Sequence, residues 1–271
     1  MRLSEFLVLA WCAVALVVSL RLRLPAPQRM RVITACLGLG AVVRLGAALP
    51  PEGLAGVVRN LLPGLYVLAA YRIAGHFFLA PDERLEAWLT RVDHAVLGPA
   101  HPEHWLRGQP WLLGLLELAY LSVYPMLPLG MWAAWSAGGH AAVDRYWQLV
   151  FPAEATSYLA LAWLQARPPR ALEPWTRDLQ ARSAIRVANE FVLSQGSHLM
   201  NTIPSGHAAG AVAVALAVAS LGAPAAPVFA VLATVICVAT VVGRYHFLVD
   251  TVLGAVVAAA WWGLWRAWGG H

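Results

Sequence analysis

The stretch TIPSGHAAGAVAVALAV, residues 202–218, opens as a polar loop and continues as a nearly unbroken apolar run. Further along, GRYHFLVDTVLGAVVAAAWW, residues 243–262, repeats the design, with an arginine and a histidine at the head of an apolar run. Runs of this length approach the roughly 20 residues that a bilayer core requires. Both therefore read as membrane-spanning helices that carry a titratable ring at their mouths, where a polar group is costly and usually functional.

The rest of the chain is of the same kind. Of 271 residues, 60% are hydrophobic and 12% charged, against roughly 25% charged in a soluble domain. The composition excludes an ordinary soluble enzyme. It predicts an all-α fold, a polytopic transmembrane helical bundle with about eight spans, near residues 4–20, 32–49, 58–79, 111–135, 146–165, 205–221, 227–242 and 247–266. The chain has no internal repeat and no low-complexity tail, so residues 1–271 read as a single membrane domain, with 145–266 as the core that carries the motifs. The first apolar run is followed by Arg21 and Arg23 without a small-residue cleavage site, which does not suit a signal peptide.

The net charge of +5 is carried by arginine alone, because the sequence contains no lysine. Beside so many apolar spans, a basic balance points to anionic lipid or a phosphorylated substrate, and nothing in the sequence suggests a nucleic-acid partner. Cys12, Cys36 and Cys237 lie in apolar runs at no metal-binding spacing and read as small core residues. His101 and His104 stand three apart with no further ligand at a useful spacing, so no metal and no other cofactor is expected.

Two connections are long enough to hold structure. In PDERLEAWLTRVDHAVLG, the residues Leu85, Trp88, Leu89, Val92 and Val96 follow the spacing of an amphipathic helix that Gly98 would stop. In the second, Asp178, Arg182, Arg186 and Glu190 step by four along one face. Both are expected as surface helices on the side of the two histidines, lying on the bilayer or packing over the end of the bundle. Span parity puts the 166–207 and 243–246 connections on one membrane side, so His207 and His246 can meet, with both termini on the opposite side.

The chemistry lies in these two heads. His246 and Asp250, four apart, share a helical face. The carboxylate can fix one imidazole tautomer and leave the other nitrogen free to attack. The pair would also serve as a simple polar contact between helices. At the other head, a helix N-terminus offers unpaired N–H groups and partial positive charge to a phosphate. There Ser205 can donate a hydrogen bond or cap the helix, Gly206 permits close approach, and a protonated His207 can donate to a leaving oxygen. Arg244 offers a fork that matches phosphoryl oxygens.

Together these residues resemble the type 2 phosphatidic acid phosphatase superfamily of membrane enzymes. PSGH, residues 204–207, is similar to its second motif, and RYHFLVD, residues 244–250, to its third. The resemblance implies His246 as nucleophile, Asp250 as its partner and His207 as general acid, with Ser205, Gly206 and Arg244 as phosphate cradle. The family's lysine-containing first motif is missing. QARPPRAL, residues 165–172, occupies its place, so Arg167 and Arg170 are the replacements that the resemblance implies. The compact YHFLVD is most similar to the inositol phosphorylceramide synthase-like branch, whose members pass a phospho-headgroup to an alcohol.

The expectation is thus a metal-independent lipid phosphatase or phosphotransferase whose partners are a membrane lipid phosphate and an alcohol or lipid acceptor. Simple hydrolysis of phosphatidate or a polyprenyl diphosphate, and a non-catalytic lipid-binding or transport protein, stand as alternatives. The resemblance implies an extracytoplasmic site, whereas the excess of arginine on the site side points to the cytoplasm.

Overall fold

Inside a bilayer every backbone N–H and C=O must find its partner within the protein, and the apolar runs meet that demand as helices. The computed structural model describes residues 1–98, 106, 108–172, 185 and 200–268. The fold is all-α. Its helices are α1 (Leu3–Arg21), α2 (Ala26–Ala47), α3 (Gly53–Ala74), α4 (Glu83–Leu97), α5 (Pro110–Leu121), α6 (Val123–Leu159), α7 (Pro169–Leu172), α8 (Gly206–Ser220), α9 (Ala226–Val242) and α10 (Leu248–Ala267). Among the described residues there is no strand, only an isolated antiparallel bridge between Ala166 and Asn201.

Helices α1, α2, α3 and α10 are long and apolar enough to cross a membrane, and α5 and α6, bent by 54° at Ser122, make a fifth span if counted as one. Helices α8 and α9 are apolar but only 15 and 17 residues long. The expected figure of about eight is reached by counting these two and dividing α6. That division has a physical basis. Backbone angles leave the helical region at Gly138 and Gly139, the latter with φ 62, where a side chain would be strained. The hydroxyl of Tyr146 donates to the carbonyl of Leu127 at 2.8 Å. A straight helix would separate those residues by about 28 Å at 1.5 Å per residue. The chain therefore folds back at the glycine pair, and α6 is two antiparallel arms.

Small side chains put α8 at the centre. Its Ala208, Ala209, Ala211, Ala213 and Ala217 are fully buried, and alanine and glycine let neighbouring backbones approach closely. A Cβ on Gly210 would run into the carboxylate of Glu154 on α6, and one on Gly206 into the ring of Tyr158, whose hydroxyl donates to Glu154. On the other flank, a Cβ on Gly254 of α10 would lie 2.5 Å from the carbonyl oxygen of Ser205. Among the tryptophans that close α10, Trp265 is buried and Trp262 donates to Ser220, whereas Trp268 is 65% exposed, as an interfacial belt requires.

At the end away from the histidines, polar groups tie α1, α3 and α6 together. Arg59 grips Glu5 through two hydrogen bonds of 2.8 and 3.0 Å, Arg2 donates to Asn60, and Ser4 donates to Asp144.

Helix α4 forms over the expected residues. Asp82 caps it by accepting from the amides of Arg84 and Leu85, and Gly98 ends it at φ 87. Its inward face differs from the expected stripe. Leu89 is buried, but Trp88 is 45% and Val96 63% exposed, and the buried Glu86 turns inward to meet Arg167. The second surface helix, at 178–190, lies outside the described residues.

Close packing of α8 on α10 gives a direct test. Gly254→Val should destabilise the protein by about 1–3 kcal/mol, the usual range for overpacking, and lower its unfolding temperature in detergent. Gly263→Ala, with open space around its Cα, should leave that temperature unchanged. Equal behaviour of the two variants would contradict the packing described.

Candidate active site

The two heads meet through the backbone. The amide of Ser205 donates to the carbonyl of Asp250 at 2.9 Å, fixing the start of α8 against the first turn of α10. Ser205 is itself fully buried and caps α8, its hydroxyl accepting from the amide of Ala208 at 3.3 Å. The Gly206 amide donates to Thr202 Oγ1 at 3.1 Å. On the opposite side, the amides of Tyr245 and His246 both donate to the carbonyl of Thr240, folding the 243–247 turn tightly onto the end of α9. Arg244 takes φ 58 in that turn.

These constraints set the rings of His207 and His246 5.7 Å apart. His246 Nδ1 faces Asp250 Oδ2 at 3.7 Å, longer than a formed hydrogen bond. The same Oδ2 accepts from Asn201 Nδ2 at 2.5 Å and from the Phe247 amide at 2.9 Å. Burial pushes the His246 imidazole down to about 3, and the Arg170 cation acts in the same direction. The ring is therefore neutral at neutral pH, with a lone pair for attack.

An aromatic stack supports the other histidine. Tyr120 lies on His207 with centroids 4.6 Å apart and on Tyr245 at 3.8 Å, both nearly parallel. Arg170 covers the free face of Tyr245, 4.7 Å from its centroid. The Arg170 amide also donates to the carbonyl of Arg244.

A cavity of about 630 Å³ opens beneath the rings. Gly206, His207, His246, Arg170, Thr202 and Tyr245 line its polar end, together with Arg72, Tyr71, Tyr124, Glu154 and Tyr158. Its other wing runs along α3, past Leu61, Leu65 and Leu68. Leu65 and Leu68 remain 60% and 51% exposed, so the wing opens on the outer, lipid-facing surface beside Tyr124.

The expected site residues thus fall into two groups. His207, His246, Gly206 and Arg170 line the cavity, and Asp250 lies fully buried behind His246. Ser205, Arg244 and Arg167 do not line it. Arg244 is buried, with its guanidinium toward the Pro169 carbonyl in a recess that Asp93 also lines. Arg167 makes a two-pronged ion pair with Glu86 at 3.0 and 2.8 Å, while its amide donates to the same carboxylate. These hydrogen bonds hold the Glu86 carboxyl below its usual range against the opposing effect of burial. The pairing therefore contributes stability above the unfolded-state pKa of a glutamate, lost as pH falls through the lower folded-state value.

Asn201, Tyr120 and Glu154 were not singled out as site residues. Asn201 lies just ahead of PSGH, and Glu154 is a charge within an apolar run, the pattern that marks functional groups in membranes. Tyr120, one aromatic among many apolar residues, carries no such mark. Among the described residues no group of three or more His, Cys, Asp or Glu side chains is arranged to hold a metal. His101 and His104 lie outside the described residues.

Residues 146–270, just under half of the chain, match the PAP2 superfamily. The match begins in the second arm of α6 and takes in α8, α9 and α10, and with them His207, His246 and Asp250. It supports a phosphatase-type site for a lipid phosphate. It leaves out α1 to α5, which supply Arg72 and Tyr120. No curated protein and no solved structure matches the chain.

Asn201→Leu should strip a donor from the buried Asp250 and cost about 1–3 kcal/mol, seen as a lower unfolding temperature in detergent. Asn201→Asp, which sets a second carboxylate against the first, should cost more. An unchanged unfolding temperature in both variants would show that Asn201 does not support the carboxylate.

Proposed function

We propose that the protein is an integral-membrane lipid phosphatase and phosphotransferase that works through a histidine nucleophile. The observation that carries this reading is the pairing of His207 and His246, 5.7 Å apart, at the polar end of a cavity with a leucine-lined wing open to lipid. A phosphate at the rings would place its hydrocarbon chain along that wing.

In this mechanism His246 Nε2 attacks phosphorus, and Asp250, on the Nδ1 side, holds the tautomer that leaves Nε2 unprotonated. The bond from phosphorus to the leaving oxygen breaks, and His207 gives that oxygen its proton. Arg170 and the positive end of α8 balance the charge on the remaining phosphoryl oxygens. An acceptor hydroxyl then returns a proton to His207 and attacks phosphorus from the side that the leaving group vacated, breaking the Nε2–phosphorus bond and regenerating His246. The likeness of YHFLVD to the transferring branch favours an alcohol as acceptor, with water competing. Ser205 and Arg244 support the backbone of the cradle, and Arg167 anchors α4 to it through Glu86.

The proposal sets the site on the extracytoplasmic face, which the resemblance implies and the excess of arginine on the site side opposes. Arg84 is exposed on α4, which is bound to the site side through Glu86 and through Asp93, the acceptor for the Leu248 amide. Arg84→Cys should react with an impermeant maleimide in intact cells. Labelling only after lysis would place the site in the cytoplasm.

Purified protein in detergent, given lipid phosphates with and without alcohol acceptors, should release or transfer phosphate in the presence of EDTA. Loss of activity with the chelator would overturn the metal-free mechanism. The product ratio decides between transfer and hydrolysis. His246→Ala should reduce turnover to background. His207→Ala should cost roughly 10²–10⁴-fold, the range for a general acid, and much less on an aryl phosphate whose phenol leaves without a proton. Rescue of His246→Ala instead of His207→Ala by the better leaving group would invert the two roles.

A further inference from the structure

Two contacts fix the depth of α4. The amide of Asp82, its N-cap, donates to the carbonyl of Gln165 at 2.7 Å, and Asp93 accepts from the amide of Leu248 at 3.0 Å. Leu248 opens the span α10, and residues 75–82 join α4 to the span α3. The helix is thus moored where two spans leave the apolar layer, at the level of lipid headgroups.

The surface of α4 is divided into three strips, since successive residues turn by about 100°. Glu86, Leu89 and Asp93 share the sector that packs on the protein, where Glu86 meets Arg167 and Leu89 is buried with Ala166, Ile203 and Phe247. Beside this sector, Trp88, Val92 and Val96 step by four along the helix, and Trp88 and Val96 are 45% and 63% exposed. Beyond Trp88, within about 60° of it, Arg84 and Arg91 are both exposed. A face turned to water gains nothing from the middle strip. The order of protein, apolar strip and cations is that of a helix lying in a bilayer interface, with acyl chains against one strip and phosphates against the next. Tryptophan suits that depth, with an apolar ring and one polar N–H.

We propose that α4 is a docking surface for anionic lipids of the surrounding bilayer. Trp88, Val92 and Val96 sit among the upper acyl carbons, and Arg84 and Arg91 bind the headgroup phosphates. Zwitterionic headgroups carry a cation of their own beside the phosphate, so a lipid of net negative charge is the better partner for two guanidiniums. This surface is separate from the histidine cavity, none of whose described lining residues lies on α4. On its inner face the same helix holds Arg167, in the segment of Arg170, and the amide of Leu248, beside the turn that carries His246. Anionic lipid on the outer face thereby steadies two walls at the polar end of the cavity. The docking goes beyond the function proposed above, and none of its tests depends on turnover.

The test uses the full chain in lipid nanodiscs of phosphatidylcholine, with or without phosphatidylglycerol. The fluorescence lost in Trp88→Phe isolates the Trp88 signal. Bromine on the upper acyl carbons should quench that signal more strongly than aqueous acrylamide does, and the reverse order would overturn the docking. Spin-labelled phosphatidylglycerol should associate with wild-type protein in preference to spin-labelled phosphatidylcholine. Arg84→Gln and Arg91→Gln should each lower that preference by up to about fivefold, the worth of one basic residue near an anionic surface. An unchanged preference in the double variant would overturn the assignment. Loss of the wild-type preference in phosphate buffer, at an ionic strength matched with chloride, would overturn it too, since the arginines would then be a site for free phosphate. Finally, phosphatidylglycerol should slow amide exchange over residues 244–250 in wild-type protein and not in the double variant. Equal exchange with and without that lipid would overturn the link to the cavity.

Discussion

The rest of the site depends on the approach of α10 to α8. The two histidines belong to segments separated by a whole helix. What joins them is backbone: the Ser205 amide on the Asp250 carbonyl, and Gly254 lying where any side chain would strike the Ser205 carbonyl. Geometry set by main-chain contacts between rigid elements is held more tightly than geometry set by long side chains. Asn201 adds to the rigidity, since its grip on Asp250 comes from the strand-like bridge with Ala166 and so ties the loop before α8 to the loop after α6.

Around this core, the chain outside the superfamily match supplies the walls. Tyr120 reaches in from α5 to stack on His207, and α3 contributes the leucine face and Arg72. The end of α3 is in turn held on the site side: Gln165 accepts from the amides of Leu79 and Ala80 and donates to the carbonyl of Phe77. The residues proposed as catalytic and much of the cavity wall thus come from different parts of the sequence, the first from motifs and the second from helices with no motif at all.

That division explains what was legible in the sequence. PSGH and RYHFLVD were readable because helix periodicity fixes the relation of His246 to Asp250, and because span parity alone brings His207 to the same side. Helix α4 was readable as a helix that Gly98 stops. Its inward face was not, because the fit of Glu86 to Arg167 depends on a partner far along the chain, outweighing the local stripe of Trp88 and Val96. The same limit applied to Arg167 and Arg170. Three residues apart in an arginine-rich segment, they have equal claims on a phosphate by composition, and only the positions of Glu86 and Tyr245 separate them. The fold-back at Gly138–Gly139 falls in the expected connection between the spans 111–135 and 146–165, but the helix after it starts earlier than the apolar pattern does. His140 and Asp144 are polar enough to read as loop, yet Asn60 and Ser4 give them partners inside the bundle.

Glu154 and Gly210 pack so closely that neither position is free to vary alone. A carboxylate at 154 leaves no room for a methyl group at 210, and any side chain at 210 displaces the carboxylate that receives the Tyr158 hydroxyl. Tyr158 in turn occupies the space that a side chain at 206 would need. In a lineage descending from this chain, a single change at any of these positions loses a contact before a second change can restore it. Drift should therefore move Glu154, Tyr158, Gly206 and Gly210 as a block or leave them in place.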